Sequence, residues 1–267
     1  PLLPLLAAIP LLLFLCGGLV VFFIRLACLG RYRYPRGWVR LFVFDPVYLL
    51  FAERTPADPG WTRVSGRHRL IPLVPTWALV YGALYLSLIL LPVFVIQDHD
   101  LIDRTVRAYL AVWMLSFVTF ILYPTVAPRP DEVEGTGFAV WGLRFLYDAD
   151  PPYNCFPSLH VAHSFVSALA CSRVHRTLGR IALLCAALVA TSTLFIKQHW
   201  VVDVVAGSLL AVAACAVFFR GRSREATPET ERGPAPALAL VVAGIVGAVV
   251  VLYWVIYRFF PASVFQG

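Results

Sequence analysis

Histidine, serine, arginine and carboxylate side chains gather at three points of an otherwise apolar chain. These are Arg129-Pro130, the stretch Tyr153-Asn154-Cys155-Phe156-Pro157-Ser158-Leu159-His160-Val161-Ala162-His163, and the group Lys197, His199 and Asp203. His199 and Asp203 are spaced i and i+4, which on a helix puts them on one face about one turn apart. A carboxylate so placed can accept from one imidazole nitrogen, fix the tautomer and leave the other nitrogen as a nucleophile or base; the bland alternative is a polar pair satisfying itself between helices. Phe156-Pro157-Ser158-Leu159-His160 has the form of a helix start, with Ser158 or a neighbour as cap and the proline in or just before the first turn. Backbone N–H groups and the positive end of the helix dipole favour an anion there. His160, in that first turn, could hand a proton to a leaving oxygen. Arg129 has a planar fork suited to bidentate phosphate binding, or it snorkels to the membrane interface. His163, three residues after His160, either lines the same site or is a core histidine bonded to a neighbouring helix.

These residues must be positioned by membrane helices. The 267 residues are 60% hydrophobic and 14% charged, with a mean hydropathy of +0.78, against about 25% charged in soluble domains. A bilayer core about 30 Å thick takes about 20 apolar residues per helix. Runs of that kind fall at about 1–29, 71–97, 108–127, 157–175, 178–198, 200–219 and 236–258. The expected fold is all-α: a polytopic membrane bundle with a motif-bearing core at 107–219, inside a catalytic unit 1–219. The run Pro1 to Ile24 reads as a retained span rather than a signal peptide. Segment 30–70 has eight arginines around the short apolar run Leu41 to Ala52 and reads as interfacial or re-entrant. Residues 220–235 read as a polar linker to an additional transmembrane helix at 236–260.

The formal net charge of +7 resides in arginines of the short segments between apolar runs. That placement fits topology signals and lipid headgroups and points away from nucleic acid. Counting crossings puts 30–70, 128–156 and 198–200 on one face, and 98–107, 173–180 and 220–235 on the other. Arginines in the short loops of the second face favour the cytoplasm there, so the three clusters are expected on the extracytoplasmic face. Cys16, Cys28, Cys171, Cys185 and Cys215 fall in or beside spans and Cys155 in a loop, a pattern that indicates no disulfide framework.

Arg129-Pro130, Pro157-Ser158-Leu159-His160, and Ser192 through His199 to Asp203 resemble the three motifs of the type 2 phosphatidic acid phosphatase superfamily. The resemblance covers about residues 107–219. It implies a metal-independent enzyme with no cofactor and a six-helix membrane core, here with one extra C-terminal helix. It further implies that His199 is the nucleophile that forms a phosphohistidine, Asp203 its orienting partner and His160 the general acid, with Arg129 and Ser158 on phosphate oxygens. Three positions depart from the family pattern. The lysine expected seven residues before Arg129 is Leu122, the arginine expected after Ser192 is Thr193, and the glycine of the second motif is Leu159. Leu159 and Lys197 are counted with Arg129 and Ser158 as phosphate-binding positions; Lys197 or Arg144 could replace a missing cation. Tyr153 and Asn154 join His163 and Arg144 as candidates to line the site. Trp38, Trp61, Trp141, Tyr147 and Tyr153 are candidates for an acceptor pocket, or else interface anchors.

The missing cations and the Pro-Ser-Leu-His form are more similar to the inositol phosphorylceramide synthase branch, and less closely to sphingomyelin synthases. A phosphomonoester brings nearly two charges to its site, whereas a phosphodiester brings one. The expectation is therefore a lipid phosphotransferase moving a headgroup from a phosphodiester to a lipid or polyol acceptor. A lipid phosphate phosphatase acting on phosphatidate or a polyprenyl phosphate is the alternative. A metal-dependent hydrolase using His160, His163, His199 and Asp203 as ligands, or a non-catalytic transporter, stands further off.

Overall fold

A computed structural model describes residues 71–96, 98–127, 129–130, 132–221 and 235–259. The expected first span, the interfacial segment 30–70 with Trp38 and Trp61, and most of the linker at 220–235 lie outside the described residues. Among the described residues there are seven helices: α1 Trp77–Val95, α2 His99–Leu122, α3 Phe138–Ala149, α4 Leu159–Val174, α5 Arg176–Phe195, α6 Val201–Phe218 and α7 Ala235–Phe259. The β-structure among them is one isolated antiparallel bridge, Val126 to Tyr153. Helices α1, α2, α5 and α6 are long and apolar enough to cross a membrane, so the protein is an all-α bundle of multi-pass topology. Helices satisfy their own backbone groups, which is why apolar runs of this length fold so in lipid.

α4 is the axis. It packs against α1, α2, α5 and α6, while α2 also packs on α6, and α1 carries α3 and α7 on its other side. Its 16 residues reach about 24 Å, and Val161, Ala162, Val166, Ala168, Ala170 and Cys171 are fully buried. Small residues on the facing helices, among them Ala182 and Ala186 of α5 and Gly207 and Ala211 of α6, allow the close approach typical of membrane bundles. Gly207 is required: a Cβ there would collide with the Ser158 carbonyl, so only glycine lets α6 lie against the start of α4.

Three segments expected to be loops are largely helical, and within 173–180 only His175 stands between α4 and α5. Residues 98–107 form the first turns of α2, because Asp98 caps the Leu101 N–H at 2.8 Å and Asp100–Arg104 and Asp103–Arg107 pair at i,i+4. Within 128–156, residues Phe138–Ala149 form α3, where Trp141 stacks on Phe138 and Phe145 along the helix face. At the far end of the bundle Arg104 donates to the Phe218 and Arg220 carbonyls at 3.0 and 3.3 Å, tying the start of α2 to the end of α6.

Candidate functional site

Three irregular segments meet at the N-terminal ends of α4 and α6: the exit of α2, residues 150–158, and residues 196–200 between α5 and α6. Backbone bonds stitch the first two together: Ala127 N–H donates to the Pro152 carbonyl at 2.7 Å and Asn154 N–H to the Thr125 carbonyl at 2.8 Å. Thr125 Oγ1 accepts from the N–H groups of Cys155 and Phe156 at 2.9 and 3.0 Å. The turn uses Asn154 in the left-handed region, φ 57°, which asparagine tolerates better than most residues. The third segment joins through Trp200 Nε1, which donates to the Val126 carbonyl at 3.2 Å, and through Ser158 N–H, which donates to the Asp203 carbonyl at 3.1 Å. Ser158 caps α4, its hydroxyl accepting from Val161 N–H at 3.3 Å, and Leu159 is the first helical residue. The three motifs thus share one backbone frame.

Within that frame His160 Nδ1 lies 3.1 Å from His199 Nε2. His199 Nδ1 lies 3.1 Å from the Cys155 carbonyl. A carbonyl only accepts, so Nδ1 carries the proton and Nε2 presents the lone pair, with His160 Nδ1–H as its donor. The geometry of Asp203 differs from the expected pair on one helix. His199 precedes α6, and Asp203 Oδ2 stands 3.6 Å from His199 Nδ1, beyond hydrogen-bond length. That oxygen instead accepts from Trp200 N–H at 2.8 Å, capping the helix it belongs to. Asp203 therefore holds the 199–201 turn, with its carboxylate beside the His199 ring. Asp150, which sequence reasoning missed, places Oδ2 3.8 Å from His160 Nε2. It sits at the C-terminal cap of α3, so its position depends on a helix the apolar-run reading did not include. Tyr81 and Tyr85 of α1 meet the His160 ring edge-on at 5.5 and 5.0 Å.

Arg129 Nη1 donates to the Tyr147 carbonyl at 3.1 Å, Nη2 donates to Gln198 Oε1, and the guanidinium rests 4.4 Å over the Tyr147 ring. Tyr147 in turn donates to the Ile196 carbonyl at 2.6 Å, and burial pushes its phenol up to about 12 against the opposing Arg129 charge. Burial also raises the Cys155 thiol well above its ordinary value, with Asp203 and Asp150 adding to the effect and Arg129 opposing it. The thiol is accordingly protonated at neutral pH and inert as a nucleophile.

The other expected cations are engaged elsewhere. Lys197 donates to the Ile71 carbonyl ahead of α1, from a backbone at φ 55°, and desolvation lowers its ammonium from the usual range. Arg144 binds the Val133 carbonyl at 2.6 Å and the Gly135 carbonyl at 3.2 Å, holding the loop before α3. Leu122 points outward, 77% exposed, while Thr193 is fully buried with its hydroxyl on the Ala190 carbonyl. His163 faces inward: its Nε2 accepts from Trp113 Nε1, its Nδ1 is 3.4 Å from Tyr85 Oη, and Tyr109 and Trp113 pack edge-on against the ring. Tyr153 serves the bridge to Val126. Trp141 lies in the aromatic contact of α3 with Tyr253 and Tyr257 of α7. Among the described residues no group of three or more His, Cys, Asp or Glu side chains is disposed to hold a metal ion.

This arrangement can bind an anion against Arg129 and the start of α4, attack it with an imidazole nitrogen, and move a proton through a second imidazole. Comparison with known proteins agrees in kind. A PA-phosphatase related-family protein of Dictyostelium discoideum is 28% identical over 120 residues, a match covering 39% of this chain and 22% of that protein. The chain thus spans less than a quarter of the relative's length. No solved structure matches it. Residues 67–217, more than half of the chain and including all three motifs, match the PAP2 superfamily, and the chain belongs to that family.

Proposed function

We propose that this protein is an integral-membrane phosphotransferase that moves a phosphate-bearing headgroup from a lipid phosphodiester to a lipid or polyol hydroxyl through a phosphohistidine, as in the inositol phosphorylceramide synthase-like branch. The observation that carries the reading is the His199 ring, tied by Nδ1 to the Cys155 carbonyl with Nε2 turned to His160 Nδ1 at 3.1 Å. A phosphoryl group entering between the two rings meets the lone pair on one side and a proton donor on the other. In the first half-reaction His199 Nε2 bonds to phosphorus, the bond from phosphorus to the donor lipid's oxygen breaks, and that oxygen takes a proton from His160. In the second, the acceptor hydroxyl returns a proton to His160, its oxygen bonds to phosphorus, and the nitrogen–phosphorus bond breaks.

Arg129 and the helix start at Ser158 and Leu159 hold the phosphate oxygens, and Asp150 faces His160 as a partner of opposite charge when that ring is protonated. The absence of charge at Leu122 and Thr193 supports a diester, since a second negative charge would need a second cation. In this reading 1–219 is the catalytic unit with a six-helix core, 236–260 an added transmembrane helix, and the site opens on the extracytoplasmic face.

A second reading, release of phosphate from a lipid phosphomonoester by water, is favoured by the relative's name as a PA-phosphatase related-family protein. Purified protein in detergent with chelator, given lipid diesters and monoesters radiolabelled at phosphorus, separates the two. Label passing from a diester to an added alcohol, and lost in His199→Ala, is the expected result. Phosphate released from monoesters alone would establish the phosphatase, and full activity in His199→Ala would overturn both.

A further inference from the structure

Gln198 lies between Ser192 and His199 of the third motif and has no role in the chemistry above. Its backbone is firmly set. Gln198 N–H and His199 N–H both donate to the Thr193 carbonyl, at 2.9 and 3.3 Å, so the position at which the family carries an arginine fixes the register of both residues through its backbone. The Gln198 side chain is 2% exposed. Its amide orientation is decided by chemistry: Arg129 Nη2 is only a donor, so the group that meets it is Oε1, and Nε2 faces the other way.

Nε2 is buried and has no hydrogen-bond acceptor, and the same is true of Arg129 Nε. Two touching side chains, one of them on the residue immediately before His199, therefore hold buried donors without acceptors. Buried donors are nearly always satisfied, and an exception calls for an explanation. An oxyanion supplies one: it brings several acceptor oxygens, and it is what Arg129 beside a nucleophilic histidine would meet.

We propose that Gln198 is a phosphate-oxygen ligand, and that the Arg129–Gln198 pair, one cation with one neutral donor, selects a phosphodiester over a phosphomonoester. This rests on the phosphotransferase reading and sharpens it. A diester has two non-bridging oxygens and one charge, which a guanidinium and a carboxamide can match. A monoester brings nearly another unit of charge that a neutral amide cannot balance.

Gln198→Glu preserves the shape and the contact with Arg129 while deleting both N–H groups and adding a negative charge. Gln198→Met deletes the N–H groups without a charge, and must show the same direction of effect on vanadate binding for the ligand role to stand. Gln198→Arg adds a cation with N–H donors. Two readouts are needed: kcat/KM with a diester and a monoester, and binding of inorganic orthovanadate, which requires no turnover. Gln198→Glu should lower diester kcat/KM by about 10²-fold or more and weaken vanadate at least about tenfold by the loss of a charge-assisted contact, with the thermal unfolding midpoint retained. Gln198→Arg should shift the diester-to-monoester ratio toward the monoester. Wild-type vanadate affinity and kinetics in Gln198→Glu would overturn the ligand role, and an unchanged ratio in Gln198→Arg would overturn the selectivity. Failure of the phosphotransferase reading has a different signature: wild-type protein would transfer nothing from diesters, while vanadate binding would still report on Gln198.

Discussion

His160 and His163 stand three residues apart on α4, and their surroundings are opposite in kind. His160 is at the helix mouth, between His199, Asp150 and the rings of Tyr81 and Tyr85. His163, one turn deeper, has both ring nitrogens on Trp113 and Tyr85 and aromatic faces around it. The difference shows what makes a buried histidine available for chemistry. At the mouth, His160 meets irregular backbone, a second imidazole and a carboxylate; one turn in, packed helices engage both nitrogens of the ring. Burial differs in the same sense, His160 being partly exposed and His163 buried.

The comparison breaks first on activity. His160→Ala should lower kcat for headgroup transfer by about 10²–10⁴-fold, and His163→Phe should leave it unchanged in the same assay. A large loss in both would mean that the deeper histidine also reaches the substrate. Stability sharpens the contrast from the other side. His163→Phe removes the acceptor of Trp113 Nε1 and should cost about 1–3 kcal/mol in thermal unfolding. Gly207→Val tests whether the mouth depends on α6 pressing against the Ser158 carbonyl; overpacking there should cost about 1–3 kcal/mol and depress transfer as well.

The smallest effect lies under Arg129. Tyr147→Phe deletes the bond to the Ile196 carbonyl and should cost about 1 kcal/mol. Because the folded-state pKa of Tyr147 is raised from 10.0 to about 12, its neutral phenol contributes stability that is fully present below 10.0 and lost as pH rises through about 12. Thermal melts across that window should fall less steeply in Tyr147→Phe.

Much of the candidate site could be read from residue types. Arg129, Ser158, His160, His199 and Asp203 were legible because each sits at the end of an apolar run in a spacing that already implies a helix mouth or a turn. Asp150 and Gln198 were not, for different reasons. Asp150 ends α3, whose face of Phe138, Trp141 and Phe145 is too short to count as a span, although its i, i+3 and i+7 aromatic spacing is that of a helix. Gln198 gains its meaning from Arg129, 69 residues away. Lys197 and Arg144 looked like replacement cations because charge is visible in a sequence, whereas the Ile71, Val133 and Gly135 carbonyls that receive them are not.

The sequence by itself determined an all-α membrane protein with three polar clusters at helix ends, because run length, composition and i,i+4 spacing are local properties of the chain. Only the tertiary structure decided which nitrogen of His199 carries the proton, which carboxylate faces His160, and which donors are committed to backbone carbonyls. Those outcomes depend on distances between atoms far apart in sequence, and hydrogen bonds are lost within a few tenths of an ångström.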